Sequence, residues 1–413
     1  MAKSAIIPIF SFFLLVLSLE SCTERFVPDT ETFEDLLVVE ATITNELKKH
    51  QVKLTRTYTF EEYQPETAAD ASVMVSDNAG NQYAFQYSAE DSLYISVSEF
   101  QAVPGNEYTL IITTSNGETY VSTPEPLPPI NQVSVDYEKK EVDGEYGVQI
   151  SANSYDPTNS SHYYRYEYEE TYKVVVPKWG PYQVKIIEAP PEISITGYFL
   201  LYELRDDPNT KICYDTKYSK EIKLTNTAEK SEDRVTDFPI RFITPDNYIL
   251  NYKYSILVKQ YVESYEAYTF YKTLEKVAGT DGTALSPNQP GFVKGNLSVV
   301  DNPDKKIIGY FEVASVSSER IFLDHASLFP DIVLPNYPNE CSIEKLYTIP
   351  PGILKPDPSE QIRIMAYLNT GTRLLYKVVP DNRPGPYYYF WMVEPECTDC
   401  TSFASNEIPE FWE

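Results

Sequence analysis

Short runs in which apolar and polar residues alternate dominate this chain. Seven of them fall between residues 36 and 123: 36–43, 51–57, 71–76, 82–87, 93–97, 107–114 and 118–122. Alternation with a period of two turns one face of a strand inward and the other to water. Turn residues separate the runs. Asn78-Ala79-Gly80-Asn81 and Pro104-Gly105 are two such turns. Asn116-Gly117 is the strongest hairpin signal, because both residues tolerate positive φ. The pattern predicts an immunoglobulin-like β-sandwich over 36–123, lacking the Cys–Trp–Cys core of antibody domains.

Pro124, Pro126, Pro128 and Pro129 then interrupt the chain. Proline fixes φ and cannot donate to a ladder, so 124–129 reads as a stiff linker before a larger β-rich domain over 130–413. Within that domain Tyr164, Tyr166, Tyr168, Tyr172, Val174 and Val176 alternate with Arg165, Glu167, Glu169, Thr171 and Lys173. This predicts a long strand with one wet face. Residues 251–262 form a second strong strand candidate. One helix is predicted over 265–277: Ala267, Phe270, Tyr271, Leu274, Val277 and Ala278 make an apolar stripe, Ser264 is the N-cap and Gly279 the stop. The fold class is therefore mainly β with one or two short helices.

The N-terminus carries an address. Lys3 precedes an apolar run from Ala5 to Leu19, which is shorter than the roughly 20 apolar residues of a membrane span. Residues 1–21 read as a secretory signal peptide. Leu19-Glu20-Ser21-Cys22 follows at once and resembles a bacterial lipobox, in which Cys22 takes the lipid. Glu20 departs from the small residue usual in that slot. Residues 22–35 then form an acidic tether containing Glu24, Asp29, Glu31, Glu34 and Asp35.

Charge and cysteine usage narrow the picture. The formal net charge is −27, which argues against nucleic acid as a partner. Cys213, Cys341, Cys397 and Cys400 remain beyond Cys22, and in an oxidising compartment they are disulfide candidates. Their pairing is open. The Cys397-Thr398-Asp399-Cys400 motif also admits a redox reading, and the four thiolates a zinc reading.

Several ordered segments together resemble the Bacteroidota outer-membrane lipoprotein family known as domain of unknown function 4249. They are Leu37–Ala41, Tyr254–Tyr261, Ser264–Leu274, Gly295–Leu297, Ile308–Phe311, Glu396–Cys400 and Ile408–Trp412. The resemblance implies an outer-membrane protein, facing the exterior, of a kind often encoded beside TonB-dependent transporters. It carries over no catalytic or ligand residues.

The residues themselves suggest no catalysis. His50, His162 and His325 are the only histidines, and no G-x-S-x-G, H-E-x-x-H, P-loop or Rossmann glycine pattern occurs. No metal site or cofactor is expected. The best binding candidates are aromatic: Tyr387, Tyr388, Tyr389 and Trp391, whose flat rings suit a ligand or partner platform. The same residues also suit sheet packing. The expectation is a non-enzymatic lipoprotein serving a transporter by binding or capping its substrate. A surface hydrolase of glycans or peptides and a structural or adhesion role are the alternatives.

Overall fold

The computed structural model describes residues 35–58, 65–190, 192, 194, 196–278, 293–348, 358–380 and 388–412. The predicted signal peptide, Cys22, Gly279 and Tyr387 lie outside these residues, as do the side chains of Val277 and Ala278.

The first seven strands are β1 (Leu37–Thr44), β2 (Gln51–Arg56), β3 (Ser72–Asp77), β4 (Gln82–Ser88), β5 (Leu93–Ser96), β6 (Glu107–Thr113) and β7 (Thr119–Ser122). They match the alternating runs to within one residue at each end. Alternation works as expected: β1 buries Leu37, Val39, Ala41 and Ile43, and β6 buries Tyr108, Leu110 and Ile112. Asn116-Gly117 makes the hairpin turn between β6 and β7, with Gly117 at φ +86°. The strands follow the order β1-β2-β5-β4-β3-β6-β7, and the sheet curls until residues from both ends share one core.

The proline stretch is not a spacer. Within it β8 (Glu125–Pro126) pairs with β6, and Leu127 is buried in the same core. Distant chain also completes the sandwich. The short β18 (Leu297–Val299) pairs with β7, and Leu297 and Val299 enter that core.

One long strand joins the two halves of the molecule. The first part of β19 (Ile308–Leu323) runs parallel to β1, from Val38 opposite Ile308 to Thr44 opposite Ala314. Its second part pairs antiparallel with β17 (Tyr254–Val262), from Ser315 to Leu323. Beyond β17 come β11 (Tyr163–Val175) and then β14 (Ile212–Tyr218), with β15 (Lys223–Asn226) on the other end of β11. A single 14-stranded sheet therefore crosses the protein. Gly309 makes the junction possible: it sits at φ +113°, and a Cβ there would lie 1.8 Å from the carbonyl oxygen of Val39.

In the second half, β9 (Val133–Val142), β10 (Glu145–Asp156) and β16 (Asp233–Ile243) form a three-stranded sheet. Its Val148, Ile150 and Val235 pack on Tyr164, Tyr166, Ile256 and Val258 of the large sheet. A smaller layer holds the hairpin β12 (Tyr182–Glu188) and β13 (Tyr198–Leu204) with the sheet of β20 (Glu344–Tyr347), β22 (Tyr388–Val393) and β21 (Leu374–Pro380).

Four α-helices occur among the described residues: α1 (Tyr265–Ala278), α2 (His325–Leu328), α3 (Ser359–Thr370) and α4 (Pro395–Thr398). The predicted helix is α1, and Ser264 caps it: its Oγ accepts from the Ala267 backbone N–H at 3.1 Å. Ala267, Phe270 and Leu274 bury against Val293 and Tyr310. The sequence reading does not include α3, whose buried positions are only Gln361 and Ile364, too few to draw a periodic stripe.

The cysteines form two disulfides, Cys213–Cys400 and Cys341–Cys397. The two cysteines of the C-x-x-C motif thus join different distant partners. This pairing replaces the redox and zinc readings of the motif.

Candidate functional site

A cleft of about 630 Å³ opens where the two halves meet. Residues 39–42 of β1, residues 48–50 of the following turn, and Gln51 and Lys53 of β2 form one wall. The rest of the lining includes residues 165–167 of β11, the 219–222 loop, Tyr261 of β17, and Phe270, Tyr271 and Leu274 of α1.

Arg165 sits at the base of the cleft. The alternation in β11 places it on the predicted wet face, yet it is only 6 % exposed. The ring of Tyr271 from α1 lies against its guanidinium, and Glu312, from the part of β19 that pairs with β1, reaches it. Thr171, on the same face, is fully buried. The expected wet face is therefore buried at Arg165 and Thr171, while Glu167 and Glu169 between them are half-buried.

Three glutamates converge on Arg165. Its Nε donates to Glu263 Oε1 at 2.5 Å, its Nη2 to Glu312 Oε2 at 2.8 Å, and its Nη1 to Glu167. The guanidinium also lies over the rings of Tyr261 (4.2 Å) and Tyr271 (4.6 Å), both favourable faces for a cation. Glu312 gathers the elements: its Oε2 accepts from Thr42 of β1 at 3.0 Å and from Tyr271 of α1 at 3.2 Å.

The hub carries more carboxylate than one arginine can match. The Nε–Nη2 edge, which suits one bidentate carboxylate, here serves two separate ones. The remaining oxygens, Glu263 Oε2 and Glu312 Oε1, are buried without a hydrogen-bond partner. Burial and the adjacent Glu312 push the Glu263 carboxyl well above its ordinary range. Burial also opposes ionisation of Glu167, but Arg165 and the Tyr261 hydroxyl outweigh it and keep Glu167 below its ordinary range.

His50 lines the cleft beside Lys48 and Lys49. It is 1 % exposed, and its Nε2 donates to the Phe100 carbonyl at 3.0 Å. Burial, with nearby Lys48, pushes its imidazole down to about 4. His50 is therefore neutral at neutral pH. His162 lies elsewhere, with Nδ1 3.4 Å from Thr227 Oγ1, and His325 is buried in α2 against Phe329. Among the described residues no group of three or more His, Cys, Asp or Glu is arranged to hold a metal ion.

The aromatic candidates do not reach the cleft. Tyr388 packs in the core of the smaller layer and meets the ring of Tyr202 at 5.7 Å. Tyr389 and Trp391 lie on the other face of β22, half-buried, with Tyr347 5.6 Å from Tyr389. Lys345 and Lys377 lie over the Trp391 ring at 4.8 and 5.6 Å.

Residues 23–320 match the family described as Domain of unknown function (DUF4249). The chain belongs to this family. No curated protein matches it. The DUF4249 match contains every residue that lines the cleft and ends inside β19. Trp391, α3, β20–β22 and Cys341, Cys397 and Cys400 lie beyond it.

Arg165, Glu263 and Glu312 are the site residues that sequence reasoning misses. One signal was available: Glu312 is a lone charge within the apolar run Ile308–Val313. A charged residue in a buried strand needs a partner, and that need points to a hub.

Proposed function

We propose that this protein is a non-enzymatic lipoprotein of the outer membrane, anchored through Cys22 and facing the exterior. It holds or caps a ligand for a TonB-dependent transporter. The observation that carries this reading is the cleft walled by both halves of the chain. Its volume of about 630 Å³ is that of a small-molecule site, and pockets at such junctions are the usual place for one. The Leu19-Glu20-Ser21-Cys22 pattern supports the anchor, and the setting of DUF4249 members beside such transporters supports the partner.

The physics of anchoring and charge agree with this role. Two or more acyl chains hold a protein stably at a bilayer, whereas one does not. A body of charge −27 is repelled by an anionic membrane surface, so it stands off the lipid and meets a protein partner. Ile332, Val333 and Leu334 are consecutive exposed apolar residues, with Val333 89 % exposed, and offer such a partner an apolar contact.

Affinity purification of the tagged full chain from native outer membranes in mild detergent tests the proposal. A TonB-dependent transporter is expected to co-purify. Recovery as a lone monomer, or a Cys22→Ser protein that stays in the membrane pellet, would refute it.

A further inference from the structure

We infer that the cleft takes a small polyanion, a compact molecule bearing two or more carboxylate or phosphate groups. This rests on the ligand-holding reading above and names its chemistry. The charge pattern of the lining carries it. Each acid lining the cleft has a cation: Glu40 pairs with Lys53 at 3.0 Å, Glu221 with Lys223 at 2.8 Å, and Glu167 with Arg165. Arg165 is more than answered by its glutamates, and Lys48 is answered by Glu46 at 2.5 Å.

Two cations of the lining then remain without a carboxylate among the described residues, Lys49 and Lys220. They come from segments far apart in sequence, Lys49 in the turn after β1 and Lys220 in the loop after β14. No acid of the lining is left unmatched. The lining residues themselves hold five cations, Lys48, Lys49, Lys53, Arg165 and Lys220, against three acids, in a molecule of net charge −27. A concave, partly apolar wall strengthens this excess, because low-dielectric surroundings focus the field of the ammonium groups. Tyr271 adds a partly exposed ring to the lining. Closing on a ligand with an anionic group for each lysine would join the two halves across the cleft.

Calorimetric titration of the full chain in mild detergent with benzene-1,3,5-tricarboxylate tests this, with the uncharged benzene-1,3,5-tricarboxamide as comparator. The tricarboxylate is expected to bind with one equivalent and to weaken with added salt, and the triamide not to bind. Lys49→Gln and Lys220→Gln should each weaken binding by about threefold, and together by about tenfold. Both side chains are exposed, so the melting temperature should not move. Equal affinity of the double variant and the unmodified protein, equal binding of the triamide, or no binding of the tricarboxylate would each overturn the inference. The outcome separates from that of the transporter purification. Lost anion binding with a transporter still captured removes the ligand class alone, while anion binding without a transporter removes the partner alone.

Discussion

Arg165 and Arg205 have side chains equally hidden from water, each 7 % exposed, but they answer different demands. Arg205 has one carboxylate, Asp399 at 2.9 Å, and otherwise donates to the carbonyls of Gly180 and Leu375 and to the Thr398 hydroxyl. Its charge is balanced once. Thr398 and Asp399 lie between Cys397 and Cys400, so Arg205 and the two disulfides secure the same corner. Arg165 faces three carboxylates beside an open cleft. A buried charge balanced once serves the fold. A surplus of buried carboxylate raises the proton affinity of one of the acids, here Glu263.

The sharpest way to break this contrast is to remove each guanidinium. Arg165→Leu leaves several buried carboxylates facing one another and should destabilise by about 3–5 kcal/mol in urea unfolding. Arg205→Leu strands only Asp399, which keeps some solvent contact, and should cost about 2 kcal/mol. Equal losses would mean that the surplus at Arg165 carries no energetic weight. The disulfide at the Arg205 corner comes between: Cys213→Ser with Cys400→Ser opens a link spanning 187 residues and should cost about 2–4 kcal/mol.

Smaller effects probe the proton. The carboxyl of Glu263 is raised above its ordinary 4.5 in the folded protein, so its contribution to stability is complete below that value. That contribution is lost as pH rises towards the folded value. Glu263→Gln supplies a permanent N–H in place of the proton. Its stability relative to the unmodified protein should therefore rise as pH increases above 4.5 in thermal melts, and a pH-independent difference would contradict the raised proton affinity of Glu263. His50 works in the opposite sense. Its neutral form is favoured, so its contribution is complete above 6.5 and is lost as pH falls from there towards about 4. His50→Gln should flatten that acid limb, the smallest effect in the series.

Much of the fold was legible because alternation reports burial locally. The seven N-terminal strands and the capped helix α1 follow from period and turn chemistry within single segments. The disulfide cysteines were legible as candidates, but their pairing was not, since each half of the C-x-x-C motif reaches a residue 187 or 56 positions away. The alternation of β11 was right about which residues share a face and wrong about what covers that face. Nothing near Arg165 in sequence announces that Glu312 of β19 and Tyr271 of α1 will meet it. Glu263 reads locally as a residue beside the Ser264 cap, and only the convergence with Glu312 makes it half of an acid pair. The linker suggested by Pro124–Pro129 fails for a related reason: proline bars ladder donation but not edge pairing, and Glu125–Pro126 pairs at the edge of β6.

By itself, then, the amino-acid order settled the β character, the positions of the first seven strands, the capped helix and which cysteines were candidates to pair, because each depends on neighbours a few residues apart. Only the tertiary structure decided that β19 stitches the halves into one sheet, that a nominally wet face holds a buried arginine among three acids, and that two lysines without a carboxylate line one cleft. Those depend on chain segments far apart in sequence, and burial, ion pairing and proton affinity are set by what finally lies across from a side chain.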